Sequence, residues 1–354
     1  MPSFNIIKKS EISKSFKSTA IKDRYDISEK KITETFTGEI NIPEEWNIGI
    51  IVGASGSGKT SIAREIFKIT DIIMDESLPV IDQFKSELKI VENILRNVGF
   101  SSVPSWLKPY GVLSNGEKMR VDLAMAIDSD NDVIVFDEFT SVVDRHIAQI
   151  GSFAIQKAIR KQNKKFVAVS CHYDIIDWLQ PDWIFDTKEM KTTITRGLLQ
   201  RPKIYLQVRK VRGYWAMFKR HHYLSCDLAA SAEQFVCFND NNPIAFIAVL
   251  HQPHPTAKNI KRVSRIVVDP EWQGISVGRV FLECIGDYYL NNGYRYRITT
   301  SNPALTMYFN KSKHWIIDHR GYNGDNKRMK ELNKTVRKKV KTISAEYTKN
   351  ASES

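Results

Sequence analysis

Gly49-Ile50-Ile51-Val52 runs straight into Gly53-Ala54-Ser55-Gly56-Ser57-Gly58-Lys59-Thr60, with Ser61 behind it. The eight residues from Gly53 fit G-x-x-x-x-G-K-[ST], set between an apolar strand and a helix. Glycines at these positions let backbone N–H groups wrap phosphate oxygens, and the helix N-terminus adds its dipole. Lys59 is expected to pair with the β- and γ-phosphates and the Thr60 hydroxyl to ligate Mg²⁺. This segment is therefore read as a nucleotide cradle, and it sets the fold class of the first half.

Outward from it, Val133-Ile134-Val135-Phe136-Asp137-Glu138 is a buried-strand run ending in two carboxylates. Asp137 suits a magnesium held through water, and Glu138 suits the orientation or deprotonation of an attacking water. From Tyr25 to about Gly197 apolar strands alternate with amphipathic helices, including a strand at Phe166–Ser170. Such alternation predicts an α/β layer structure on a largely parallel sheet. Residues 1–24 read as a polar lead-in, 25–199 as the nucleotide domain, and Arg196–Pro202 as the junction. Residues 200–322 then carry strand-like runs at Ile204–Val208, Gln234–Phe238, Ile244–Leu250, Val263–Val268 and Tyr294–Thr299. Helical stretches at Trp215–Leu224 and Gly278–Asn291 fall between them, an α+β pattern. Residues 323–354 read as a polar, basic tail without a core.

A length of 354 residues agrees with two domains. Hydrophobic residues at 42% and charged residues at 26% are ordinary for a soluble globular chain. The longest apolar runs are strand-length, short of the roughly 20 residues of a membrane span. No membrane partner is expected. Met1–Ser18 lacks the apolar core of a secretory signal, and Cys171, Cys226, Cys237 and Cys284 form no C-x-x-C pair. A reducing, cytoplasmic setting is the expectation. The net charge is +12. Nine Lys or Arg stand between Lys327 and Lys349 against Glu331 and Glu346, and seven stand from Arg201 to Arg220 with no acid. Excess positive charge favours polyanions such as DNA or RNA, or else marks a solvated tail.

The first half resembles the ABC-type ATPases. Between the two motifs lies Leu113-Ser114-Asn115-Gly116-Glu117, where that family has L-S-G-G-Q. Asp137-Glu138-Phe139-Thr140-Ser141 stands for D-E-P-T-S, Ser141-Val142-Val143-Asp144 follows as the D-loop, and His172 matches the switch histidine. The resemblance implies ATP and Mg²⁺ as ligands, Glu138 and His172 as catalytic residues, and Gln83 as a further magnesium ligand. It implies Tyr25 as the aromatic stacked on adenine. Ser114, Gly116 and Asp144 would complete the ATP site of a second subunit, so a homodimer sandwiching ATP is expected. Only about 30 residues separate Gln83 from Leu113, little room for a subdomain that grips a membrane partner.

The second half resembles the GNAT acyltransferases. Ile266-Val267-Val268 precedes Gln273-Gly274-Ile275-Ser276-Val277-Gly278 and Arg279, where that superfamily has [QR]-x-x-G-x-[GA]. Ser276 replaces the middle glycine. The resemblance implies that Ile266, Val267, Val268, Gln273, Gly274, Ser276, Gly278 and Arg279 bind acetyl-CoA or another acyl donor. Ser301-Asn302-Pro303-Ala304 and Tyr308 match the following helix, so Tyr308 is implied as general acid towards the leaving thiolate. A phenol of pKa near ~10 suits that delivery. His221-His222-Tyr223 in the basic cluster is reminiscent of the Mom-type relatives that modify adenine in DNA. His222, Tyr223 and Asn302 are then candidate acceptor-site residues. Iron is a candidate ion in that group, but Asn302 stands where the acidic residue belongs, which weakens it.

Three whole-protein readings follow. The leading one is an ATP-dependent acyltransferase that modifies a nucleic-acid base amine, the ATPase dimer exposing the base. The alternative is an acetyl-CoA-dependent N-acetyltransferase of a protein or small-molecule amine, gated by the ATPase dimer. The third is a non-enzymatic nucleic-acid or ribosome clamp.

Overall fold

The computed structural model describes residues 2–9, 13, 15–25, 33–67, 72–200, 202–222, 227–323 and 340–349. The chain divides into two compact units, Met1–Phe100 with Leu107–Pro202, and Ser101–Trp106 with Lys203–Ser354.

The first unit contains β1 (Ser3–Lys9), α1 (Phe16–Tyr25), β2 (Thr33–Glu39), β3 (Ile48–Val52), α2 (Lys59–Ile66) and α3 (Leu88–Asn97). After α4 (Val103–Trp106), which groups with the second unit, it continues with α5 (Asn115–Asp128), β4 (Val133–Phe136) and α6 (Arg145–Gln162). β5 (Lys165–Ser170), α7 (Ile175–Leu179), β6 (Trp183–Asp186) and β7 (Lys191–Ile194) complete it. The main sheet has the order β4-β5-β3-β6-β7, parallel except for β7. β3, all apolar but for Gly49, is buried along its whole length, as a central parallel strand covered on both faces must be. The core gathers Ile51, Val167, Val169, Trp183 and Phe185.

The reading of residues 1–24 as a polar lead-in is corrected by β1. It pairs antiparallel with β2 from Ser3↔Glu39 to Lys9↔Thr33. Phe4 is buried and meets Phe185 edge-on, ring centroids 5.9 Å apart. The signal is a two-residue alternation, Phe4 and Ile6, submerged among Lys and Ser. In α1, by contrast, no residue is buried.

The second unit runs β8 (Gln207–Lys210), α8 (Trp215–Lys219), β9 (Glu233–Asn239), β10 (Asn242–His251), β11 (Ile260–Val268) and α9 (Val277–Asn291). β12 (Arg295–Thr300), α10 (Pro303–Lys311), β13 (Trp315–Asn323) and β14 (Val340–Tyr347) follow. Its sheet has the order β13-β14-β12-β11-β10-β9-β8. Among the described residues only β11 and β12 of this sheet pair in parallel, and α9 makes the crossover such a pair requires. The expected helix Trp215–Leu224 ends at Lys219, which leaves His221 and His222 in a turn. The strand expected at Ile204–Val208 lies at Gln207–Lys210.

The reading of 323–354 as a coreless tail is corrected too. β14 inserts between β12 and β13 and buries Ile343, Ala345 and Tyr347. Those three sit at period two inside a Lys-rich stretch, so the bulk charge hides the strand. Most of the basic cluster, Lys327–Lys339, lies outside the described residues. Among the described residues, no helix is long and apolar enough to cross a membrane.

Candidate functional site

In the first unit β3 ends at Val52 and the chain turns through Gly53–Gly58 into α2. Gly56 and Gly58 both adopt φ 81, a left-handed conformation that costs glycine little. A Cβ at Gly58 would come within 3.0 Å of the Phe36 ring of β2, so space as well as backbone demands glycine there. Ser57 Oγ and Thr187 Oγ1 lie 2.6 Å apart and fasten the loop to the end of β6. Thr60 Oγ1 donates to Asp137 Oδ1 at 3.0 Å, and Lys59 Nζ donates to the Ala54 carbonyl at 2.6 Å. A cavity of about 360 Å³ opens here, lined by Ser55, Gly56, Gly58, Lys59, Thr60, Asp137, Glu138, Ser141, Ser170 and Cys171, with Lys8 of β1. The paired hydroxyl and carboxylate are the hard oxygen donors magnesium takes, and the loop suits a polyphosphate. The residues present therefore fit ATP and Mg²⁺.

The departures from the ABC pattern have structural reasons. Phe139, in place of proline, is buried against Phe136 and Phe166, and its N–H donates to the Val169 carbonyl at 2.8 Å. Proline has no such donor. Ser114 caps α5 in a capping box with Glu117, whose N–H it accepts while Glu117 Oε2 accepts the Ser114 N–H. Asn115 Nδ2 donates to the Val142 carbonyl at 3.3 Å.

The expected residues do not all converge. Ser114, Gly116, Asp144, Tyr25, Gln83 and His172 are outside the cavity lining. Asp144 caps α6, accepting the His146 and Ile147 N–H groups. Gln83 is spent on its own loop: it accepts from the Asp75 N–H and donates to the Asp75 and Leu78 carbonyls. Tyr25 is exposed at the end of α1. His172 directly follows Cys171, with its N–H on Ser170 Oγ. Lys8 and Phe36 are the residues that sequence reasoning missed, because the β1–β2 hairpin was not recognised.

In the second unit the pairing of β11 with β12 stops at Val263↔Ile298, although both strands continue. Against β10 the register jumps from Ala248↔Arg265 to Val249↔Val263, so Ser264 is a bulge. The two strands part here, leaving Ser264–Val268 unpaired on the β12 side. A cavity of about 270 Å³ fills this fork. It is lined by β11 from Val263 to Val268, by Gln273, Gly274, Ser276, Gly278 and Arg279, by Thr299 and Asn302, by Ser101–Pro104, and by His221 and His222. Gln273 braces the loop, donating to the Val268 carbonyl at 3.0 Å and accepting from the Ser101 N–H at 2.8 Å. Gly274 has φ 88, and Ser276, the N-cap of α9, has φ 75. A Cβ at Gly278 would stand 3.0 Å from Val268 Cγ2. An open strand edge plus a helix N-terminus suits a linear amide arm ending in a pyrophosphate, so the residues fit an acyl-CoA.

His222 packs edge-on against Trp215, centroids 5.8 Å apart, and His221 Nε2 accepts from Arg220 Nε at 2.9 Å. Asn302 caps α10, its Oδ1 accepting the Ala304 and Leu305 N–H groups. Tyr223 lies outside the described residues. Tyr308 is not in the cavity lining. Its phenol donates to Glu283 of α9 and accepts from Ser312 Oγ at 3.2 Å, and Arg279 lies over its ring. Burial, then the Glu283 carboxylate, push the Tyr308 phenol up to about 12. Iron does not fit: the Asn302 oxygen is committed to its helix. Among the described residues no three His, Cys, Asp or Glu side chains gather to hold a metal.

Residues 196–311 match the family model described as Acetyltransferase (GNAT) family. Among solved structures, the chain is similar to the ribosomal-protein-S18-alanine N-acetyltransferase from Escherichia coli, at 13% identity over 42% of this chain and 98% of that one, TM-score 0.32. It is similar to a GNAT family acetyltransferase from Elizabethkingia anophelis with acetyl-CoA bound, at 13% over 40% and 97%, TM-score 0.30. It is also similar to the ADP- and phosphate-bound dimeric ATP-binding cassette MJ0796, at 15% over 55% and 99%, TM-score 0.39. The family match thus falls on the second unit, from the junction before it to the end of α10.

Proposed function

We propose that the chain is an acyl-CoA-dependent N-acyltransferase of a protein or small-molecule amine, joined to an ABC-type ATPase unit that gates it. The observation that carries the reading is the fork between β11 and β12 with the Gln273–Gly278 loop at its end. The amine nitrogen forms a bond to the thioester carbonyl, the carbon–sulfur bond breaks, and the departing thiolate takes up a proton. His222 accepts the amine proton, an imidazole suiting that task near neutral pH. Tyr308 as the donor to the thiolate has to exchange its bond to Glu283 for one in the groove.

The nucleotide unit is proposed to bind ATP with Mg²⁺ on Thr60 and Asp137, with Glu138 orienting the attacking water. Ser114 and Gly116 lie off that cavity, which supports completion of the site by a second copy of the chain. Acyl transfer needs no ATP, so the dimer acts as a gate. A nucleic-acid base as acceptor draws no specific support from the groove residues.

The test is release of CoA thiol by the full-length protein from acetyl-CoA and a panel of amines, with and without ATP and Mg²⁺. Amine-dependent release that changes with ATP supports the reading. Acetyl-CoA that is neither bound nor consumed overturns it.

A further inference from the structure

The groove that takes the acyl donor also carries a charge that the donor does not use. Arg265 follows the Ser264 bulge and lines the cavity. Its Nε is buried without a hydrogen-bond partner, while one terminal nitrogen donates to the Ser264 carbonyl at 2.7 Å. Among the described residues no carboxylate pairs with it. Arg297 in the neighbouring strand, by contrast, is held by Asp318 and Glu346. A guanidinium with a buried, unfilled donor calls for an anion.

Its place shows which anion it is. Arg265 sits directly across from Ala248, and Val267 across from Phe246, so the four share one face of the sheet. Phe246, Ala248 and Val267 pack against Trp215 and Phe218 of α8. His222 stands on Trp215, so the guanidinium and the proton-accepting imidazole lie on the α8 side of the groove. The pyrophosphate cradle starts beyond the end of β11. At about 3.3 Å per residue, Arg265 is roughly 10 Å back along the strand from Val268. The stretch between would face the pantetheine arm of a bound acyl-CoA, which carries no charge. No Asp or Glu lines the cavity among the described residues.

We propose, resting on the acyltransferase reading, that the acceptor is an amine bearing an anionic group, carboxylate or phosphate, which Arg265 binds while the amine faces His222. A groove with cations and no carboxylate disfavours polyammonium acceptors by the same electrostatics.

The test uses the full-length protein with saturating acetyl-CoA and matched probes: β-alanine against β-alaninamide, phosphoethanolamine against ethanolamine, and spermidine. Expected is a kcat/KM for an anionic member about 10–100-fold above its neutral partner, the worth of one charge-assisted contact. Arg265→Leu should erase that preference mainly through KM, with Arg265→Lys restoring part of it. Which pair responds separates carboxylate from phosphate. Preference for neutral amines or spermidine, no turnover of either anionic probe, or an equal loss on both members of each pair in Arg265→Leu overturns the proposal. Acetyl-CoA binding, measured by calorimetry on the same proteins, keeps the two levels apart. Its absence in the wild type defeats the acyltransferase reading itself, and its retention in Arg265→Leu shows that the variant is folded.

Discussion

Two loops in this chain share one backbone and differ in the residue that holds it. Gly58 ahead of α2 has φ 81, ψ 5, and Ser276 ahead of α9 has φ 75, ψ 13. Each ends a turn that leads from a parallel-paired strand into a helix N-terminus. At Gly58 a Cβ would press on Phe36, and Asp137 and Glu138 stand beside the loop. At Ser276 a Cβ is present, and the neighbouring strands part instead of closing over the site. The local device is therefore the same left-handed turn into a helix N-terminus, and what surrounds it differs. Carboxylates beside the first suit metal-assisted phosphate chemistry, whereas the open fork beside the second suits an extended thioester.

The comparison breaks most sharply at Lys59. Lys59→Ala should weaken ATP binding about 100-fold, the loss of a strong charge-assisted contact, and leave acetyl-CoA binding unchanged in parallel calorimetric titrations. Gly278→Val is the converse. Branches beyond a Cβ already 3.0 Å from Val268 force α9 off β11, so acetyl-CoA affinity should fall about tenfold with ATP binding intact. Ser276→Gly sharpens the likeness between the loops. Relief of the left-handed serine, offset by the greater chain entropy of glycine, should stabilise the fold by about 0.5 kcal/mol, seen as a Tm rise of roughly 1–2 °C.

A pH-dependent effect is expected in the first unit, away from its loop. Burial pushes the Asp122 carboxyl up to about 6, against the hydrogen bond from Tyr110 at 2.8 Å and the charge of Lys118. The unfolded chain titrates near ~3.9. The folded protein thus holds the proton more tightly. Asp122 contributes its full stability below about pH 4 and loses it as the pH rises through about 6. Asp122→Asn should flatten that part of the Tm-against-pH curve, and an unaltered slope would contradict the assignment.

Both turns were legible in the sequence because each is contiguous: a strand end, small residues at fixed offsets and a helix start. The fork was not, since it depends on where β12 stops pairing with β11, and spacing along one strand does not encode that. β1 and β14 escaped notice because Phe4 and Ile6, or Ile343, Ala345 and Tyr347, are outnumbered by charged neighbours on the solvent side. Lys8 lines the cavity beside the Gly53–Gly58 turn through that hairpin. Tyr308 stands at the offset from Ser301 that the resemblance implies, but its phenol direction, towards Glu283, is set by α9. Arg265 lines the groove just past the Ser264 bulge, and spacing along one strand does not encode that irregularity of pairing.

The most direct single measurement is calorimetric titration of acetyl-CoA into the full-length protein already saturated with ATP and Mg²⁺. CoA itself carries an adenine nucleotide, so one shared site would reveal itself as competition. Two independent cradles give one acetyl-CoA bound per chain, with ATP still in place. Displacement of ATP by acetyl-CoA, or no acetyl-CoA binding at all, would contradict the assignment of the second cradle to an acyl donor.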